Sequence, residues 1–276
     1  IRLVGCSRLP PAEYSADTTE TGIDKDVVTA ATAAQSVGDS FAKKVMPFRC
    51  LVPAAGWGGK TDKLYKPREG STNRVGFVMA CDDQVNKTAA VGQMLGRAAK
   101  YPVNYSLARV KSGVIATEGW LTNGETPEEC DAMLDLLDEA GYIIYRSFPK
   151  KNGYYPNDDP MGAPLSDDYS NLNYGRVVDK AMIIAYTTFV EEIQDDIETD
   201  DDGNIPQEMC SYYEGRINNA VASAMQGEIS NFTSYVDPAQ NVLSTRLMTV
   251  SCKIRPRGCL RDIIVNLGFE NPAIKQ

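Results

Sequence analysis

Two stretches have residue types and spacing that could do chemistry. Ala54 to Thr61 fits a loose phosphate-loop pattern: Ala or Gly, four residues, then Gly59-Lys60-Thr61. In such a loop, backbone N–H groups cradle the phosphates, the lysine supplies charge and the hydroxyl reaches a magnesium ion. The apolar run Phe48 to Val52 before it reads as the strand that would enter the loop. The cradle also needs a helix N-terminus straight after Thr61. The chain instead continues into Asp62 to Gly70, punctuated by Pro67 and Gly70 with no apolar period, and Ala54 stands where the stricter motif has glycine. Val75 to Ala80, running into Asp82-Asp83, looks like a strand ending in a magnesium-binding acid. It comes too soon after the loop to leave room for a helical crossover. The stretch therefore reads as a surface loop between two strands, and a nucleotide site built on Gly59, Lys60 and Thr61 is the alternative.

The second stretch is Glu198 to Met209. Glu198, Asp200 and Asp202 would occupy positions one, three and five of a calcium loop with Gly203 at six, but position twelve is Met209 instead of the bidentate glutamate. It reads as an acidic interhelical turn, so neither a metal site nor a cofactor is expected. Histidine is absent, which excludes Ser-His, Cys-His and His-metal arrangements. The acid pairs Asp82-Asp83, Asp158-Asp159 and Asp195-Asp196 read as solvated surface, since sequence neighbours on a strand or helix point apart. No catalytic residue is assigned.

The elements that would carry these residues are of both kinds. Ile1 to Cys6 reads as a strand stopped by Pro10-Pro11. Val27, Ala31, Ala34, Val37, Phe41 and Val45 fall at helical spacing. Asn86 to Lys100 is a second expected helix, and Val103 to Val110 and Ser112 to Ala116 are short strand candidates. Thr126-Pro127-Glu128-Glu129 has the form of a capping box opening a helix that Gly141 stops, and Tyr142 to Tyr145 comes next as a strand. A Pro-, Gly- and Asp-rich loop covers 149–172. Gly175 to Ile197 reads as a long helix with a stripe of Val178, Met182, Ala185, Phe189 and Ile193, and Pro206 opens the next helix, which ends at Gly227. The helix pair is expected to cover a sheet of strands 229–236, 245–254 and 260–269. The last two would form a closing hairpin across Arg255-Pro256-Arg257-Gly258, with Ile263, Val265, Leu267 and Phe269 on one side. The fold class is α/β with α+β character, a mixed sheet flanked by helices. Its units are an N-terminal segment 1–73, an α/β region 74–172 and a C-terminal domain 173–276.

The 276 residues carry a net charge of -9, which conceals segregation. Residues 1–111 hold sixteen basic and ten acidic groups, 112–214 five and twenty-three, and 215–276 seven and four. Either the acids form a solvated face, or basic ends of one subunit meet the acidic middle of another in a contact that propagates rings or filaments. Nucleic acid is a poor partner because the largest single-sign excess is negative. Seven cysteines without a CxxC pair argue for reduced thiols and assembly in a cytoplasm. No apolar run approaches the ~20 residues needed to span a bilayer. Ile1 is not an initiator methionine, so a native N-terminus is expected upstream.

Arg176-Val-Val-Asp179-Lys180, the run Gln240 to Thr245, and Arg255-Pro-Arg-Gly258 with the residues after it resemble the C-terminal domain of contractile-tail sheath proteins. Val91 to Arg97, Pro102-Val103 and Ala108 to Gly113 extend the resemblance, which covers residues 74–272. The family resemblance implies a structural subunit of a phage, prophage or injection-system tail, with no enzymatic activity and no membrane insertion. Copies would stack as rings around an inner tube protein, above a baseplate, in a particle that contracts to drive the tube through an envelope. It also implies terminal arms that add strands to neighbouring subunits, here Ile263, Val265, Leu267, Phe269 and Ile274 at the C-terminal end.

Overall fold

The computed structural model describes residues 2–8, 11 and 13–268. Phe269 and Ile274 of the expected arm lie outside the described residues. The chain is mixed α+β, in agreement with the expected class. β1 (Leu3–Gly5) leads through α1 (Lys25–Lys43) to β2 (Arg49–Pro53), then β3 (Val75–Val78). Next come β4 (Ala80–Asp83), β5 (Thr88–Ala89), α2 (Val91–Lys100) and β6 (Trp120–Leu121). α3 (Asp131–Ala140), β7 (Tyr142–Ile143), β8 (Tyr145–Arg146) and β9 (Tyr155–Pro156) complete the first part. The second consists of α4 (Leu172–Phe189), α5 (Gln207–Ala224), β10 (Ile229–Val236), the short α6 (Val242–Thr245) and β11 (Val250–Pro256).

The centre of the first part is a four-stranded sheet in the order β1-β2-β3-β7. All its pairings are parallel, with Val4 opposite Cys50, Leu51 opposite Gly76 and Phe77 opposite Tyr142. Parallel sheets require cover on both faces, which explains why β2 and β3 are apolar without clean alternation. On one face Cys50, Val52, Val75, Phe77 and Tyr142 pack with Val27 and Ala31 of α1 and Leu137 of α3. On the other, Leu51, Val78 and Ile143 pack with Val91, Met94 and Ala98 of α2 and Leu172 of α4. β2 and β3 are neighbours although no α-helix lies between them; the 54–74 connection contains only the helical turn Pro67–Glu69.

Local signals account for several boundaries. Asp24 caps α1 by accepting from the Asp26 N–H. The capping-box bonds form reciprocally, with Thr126 N–H donating to Glu129 and Glu129 N–H to the Thr126 hydroxyl, but they close a turn ahead of the helix, which starts only at Asp131 behind Cys130. Gly141 ends α3 at φ +98°, a left-handed stop that suits glycine. The strand candidates in 103–116 do not form: the segment is turns, a helical turn at Val110–Ser112 and one isolated bridge from Ala116 to Tyr154. Asn86–Thr88 leads into β5, and α2 starts only at Val91. No helix among the described residues is long and apolar enough to cross a membrane.

Candidate assembly surface

The second part is a helix pair over a ribbon. α4 and α5 pack through Val177, Ala181, Ile217 and Val221, joined by Phe232 and Ile254 from the strands. Ile205, Cys210, Tyr213, Val236 and Val242 continue this core to the other end. β10 and β11 pair antiparallel from Ile229 opposite Pro256 to Val236 opposite Val250, with an irregularity at Ile229/Asn231.

The charged residues of the 176–180 motif hold α4 to three different elements. The Arg176 guanidinium donates to the Ala98 carbonyl at 2.8 Å, at the C-terminal end of α2, where orphan carbonyls favour a cation. Burial pushes its pKa down. The Asp179 carboxylate accepts both Nε and Nη2 of Arg49 on β2, at 2.8 and 3.1 Å. Lys180 pairs with Glu228 at 2.6 Å, immediately before β10. The motif thus fastens the helix pair to the parallel sheet below it and to the ribbon above it.

The ribbon has only two strands, so both outer edges lack a strand partner among the described residues. An open edge presents backbone donors and acceptors that another strand can satisfy without a side-chain code. The expected three-stranded arrangement with 260–269 is corrected here. The hairpin consists of β10 and β11, residues 246–249 before β11 are not strand, and residues 257–268 adopt no strand. Cys252 on β11 is exposed. Without a sheet to enter, the aliphatic side chains of the tail stay in solvent: Leu260, Ile263, Ile264, Val265 and Leu267 are all exposed, Leu267 at 95 %.

The tail is tethered at one place. Arg261 forms ion pairs with Asp138 of α3 and, at 3.6 Å, with Asp158. The Asn173 amide lies 3.3 Å from the Cys259 sulfur. Beneath Arg261 sits Arg68, buried, its terminal nitrogens without a hydrogen bond among the described residues and its closest anion Asp158 at 3.5 Å. Burial lowers the Arg68 pKa and raises that of Asp138, the latter opposed by Arg261. The neighbouring Asp159 is fully enclosed, which corrects the solvated reading of the Asp158-Asp159 pair. Its carboxylate accepts from Ser106, Asn171 and the Asn173 N–H, and burial followed by the charge of Asp158 raises its pKa to about 7. Sequence offered one signal for Asp159: its place in a Pro- and Asn-rich loop whose polar groups need internal partners.

The other sequence candidates lie elsewhere. Gly59, Lys60 and Thr61 sit in the 54–74 connection, and the chain beyond Thr61 enters a turn instead of a helix. The buried Trp57 indole donates to the Lys60 carbonyl at 2.9 Å, spending on the loop itself an acceptor at its tip. The Glu125 carboxylate and Asn123 amide lie within 4 Å of where a Gly59 Cβ would stand, an acidic setting for a phosphate. In the 198–203 stretch, the Asp200 carboxylate accepts from the N–H groups of Asp202 and Asn204 and holds the turn in which Gly203 takes φ +79°.

The fold has known counterparts. A chain of the 6-fold symmetrised anti-feeding prophage (AFP) baseplate superposes with a TM-score of 0.56 at 12 % identity, over 90 % of this chain and 67 % of that one. A chain of the sheath complex of an extracellular contractile injection system, PVC, in its contracted state gives 0.55 at 12 % identity, over 85 % of this chain and 67 % of that one. No curated protein matches the sequence. The models of the DUF2586 N-terminal and C-terminal domains match residues 12–160 and 168–274, and the chain therefore belongs to the DUF2586 family.

Proposed function

We propose that the chain is a structural subunit of a contractile tail or injection particle, specifically of its sheath, and that it assembles by lending its C-terminal segment as a strand to a neighbouring copy. The observation that carries this reading is the pairing of supply with demand. A tail of exposed aliphatic residues has no strand partner, and a ribbon has two open edges. Neither can satisfy the other within one chain in the conformation described, whereas an exchange between copies satisfies both. The shared fold with chains from a baseplate and from a sheath complex supports a particle component. The inner tube protein and baseplate are the further partners this reading calls for, with assembly in a cytoplasm before incorporation. The units 1–73, 74–172 and 173–276 are proposed as its working bodies, the last carrying the exchange.

A baseplate subunit is the second reading, favoured by the likeness to the baseplate chain. Immunogold labelling of intact particles separates the two. Gold along the whole tail supports the sheath; gold confined to one end supports the baseplate; gold in neither place overturns both. The nucleotide-binding alternative draws no support from the turn after Thr61.

A further inference from the structure

A cleft of about 710 Å³ opens beside the tether of the tail, between the 104–111 segment, the end of β8 and the chain leaving β11. Its lining carries five cationic side chains against two acids, Asp158 and Asp262. Asp158 is already engaged by Arg68 and Arg261. Arg109, Lys111, Arg146 and Arg257 form no ion pair among the described residues, whose salt bridges leave all four out. Arg109 lies over the Tyr105 ring and Arg146 over that of Phe148, which fixes both charges in place. An acidic polypeptide answers these spaced cations with carboxylates set along one chain.

The chain itself carries such a polypeptide. Glu191 to Asp202 holds eight acids in twelve residues and no basic residue. Only Glu192 of these is ion-paired among the described residues, with Arg216. Ile193, 58 % exposed, gives the segment an apolar anchor. Neither the cleft's lining nor its ion pairs include any residue of this segment from the same chain. We propose that the cleft receives the Glu191–Asp202 segment of a second copy. Because cleft and segment are different surfaces, the contact is heterologous and propagates from copy to copy. Its strength falls with salt, since much of it is exchange between exposed charges. The contact deepens the reading of the chain as a self-assembling subunit and rests on it. It is separate from the strand exchange, because its cationic side chains Arg109, Lys111, Arg146, Arg257 and Arg261 all lie upstream of the lent residues, of which only Ile263 borders the cleft.

The test uses two charge-reversed full-length variants, Lys111→Glu/Arg257→Glu in the cleft and Asp195→Lys/Asp196→Lys in the segment. All four positions are exposed, and circular dichroism melts check that both variants fold. Sedimentation velocity in low salt should show the parent self-associating, each variant alone weaker by roughly tenfold or more, and their equimolar mixture restored. Association of the variants at parental strength overturns the proposal, as does a mixture no stronger than its components or a parent that stays monomeric at low salt. Salt-sensitive association that never forms rings or tubes would sustain this contact and count against the sheath. Rings that ignore the charge reversals would do the opposite.

Discussion

Arg49 of β2 and Asp179 of α4 meet as a two-pronged ion pair inside the protein, Nε to Oδ2 at 2.8 Å and Nη2 to Oδ1 at 3.1 Å, with 1 % and 5 % of the two residues exposed. The remaining Arg49 donors reach the carbonyls of Asn73 and Gly175, and Arg74 approaches Asp179 at 3.4 Å. This network connects the parallel sheet to the helix that carries the ribbon. A subunit that transmits force through a lattice needs such rigid connection between its parts.

Asp179→Asn leaves the Arg49 charge enclosed with its counter-charge gone, and should cost about 3–5 kcal/mol of stability in urea denaturation. The apolar double replacement Arg49→Met/Asp179→Leu should recover most of that loss, because no lone charge remains. An Asp179→Asn protein as stable as the parent would remove the network from the account.

Gly175→Ala should also be strongly destabilising. A Cβ there would stand 2.4 Å from the Arg49 Cζ, and that guanidinium is held on several sides. The expected loss is about 1–3 kcal/mol, the range for overpacking a filled interior, read from the same denaturation curves.

Asp159 gives the fold a pH dependence of defined sign. Its folded pKa is about 7, against an ordinary value of 3.8. The unfolded chain therefore releases this proton first, and the stability Asp159 contributes is complete below pH 3.8 and lost as the pH rises to about 7. Melting temperatures taken across that window should fall less steeply in Asp159→Asn than in the parent. Equal slopes would contradict the assignment.

Arg261→Ala should free the tail without unfolding the domain. The Arg261 side chain is 41 % exposed, so global stability should change by no more than about 1 kcal/mol. NMR relaxation should show greater motion across residues 257–262 while the amides of β10 and β11 stay protected from exchange; unchanged relaxation would contradict the tether.

Lys60→Ala should leave the protein unaltered toward nucleotide. Neither parent nor variant should show a shift in melting temperature on adding ATP or GTP with magnesium, because no helix N-terminus stands behind Thr61. A shift in the parent that the variant loses would revive the phosphate-loop reading.

Much of the scaffold was legible in local pattern. Val27 and Ala31 of the α1 stripe, the stop at Gly141 and the helix start behind Pro206 are short-range signals that the structure has where the residues stand. Val37 and Phe41 of the same stripe are exposed, and Val45 lies beyond the helix, which ends at Lys43. The long helix was read less well. Its expected stripe began at Val178, yet the buried positions include Asn173, Gly175 and Asp179. α4 packs on two sides, and a helix enclosed by tertiary contacts loses the single apolar face that periodicity detects. Asp179 reads as a surface acid until Arg49, 130 residues away, is brought beside it. The tail shows a different limit. Alternation at Ile263, Val265 and Leu267 describes the capacity to form a strand, whereas strand pairing needs an edge in reach. That capacity is unused within the chain described, which is the basis for seeking its partner in another copy.

The central claim is that the tail assembles the subunits. Negative-stain electron microscopy across a salt series, comparing the full chain with one lacking residues 262–276, tests it most directly, with circular dichroism to confirm that both fold. The account predicts rings, sheaths or tubes from the full chain that weaken with salt, and none of these ordered assemblies from the truncated one, which keeps only the salt-sensitive contact between cleft and acidic segment. A truncated chain that assembles as the full chain does, or a full chain monomeric at every salt, would contradict it.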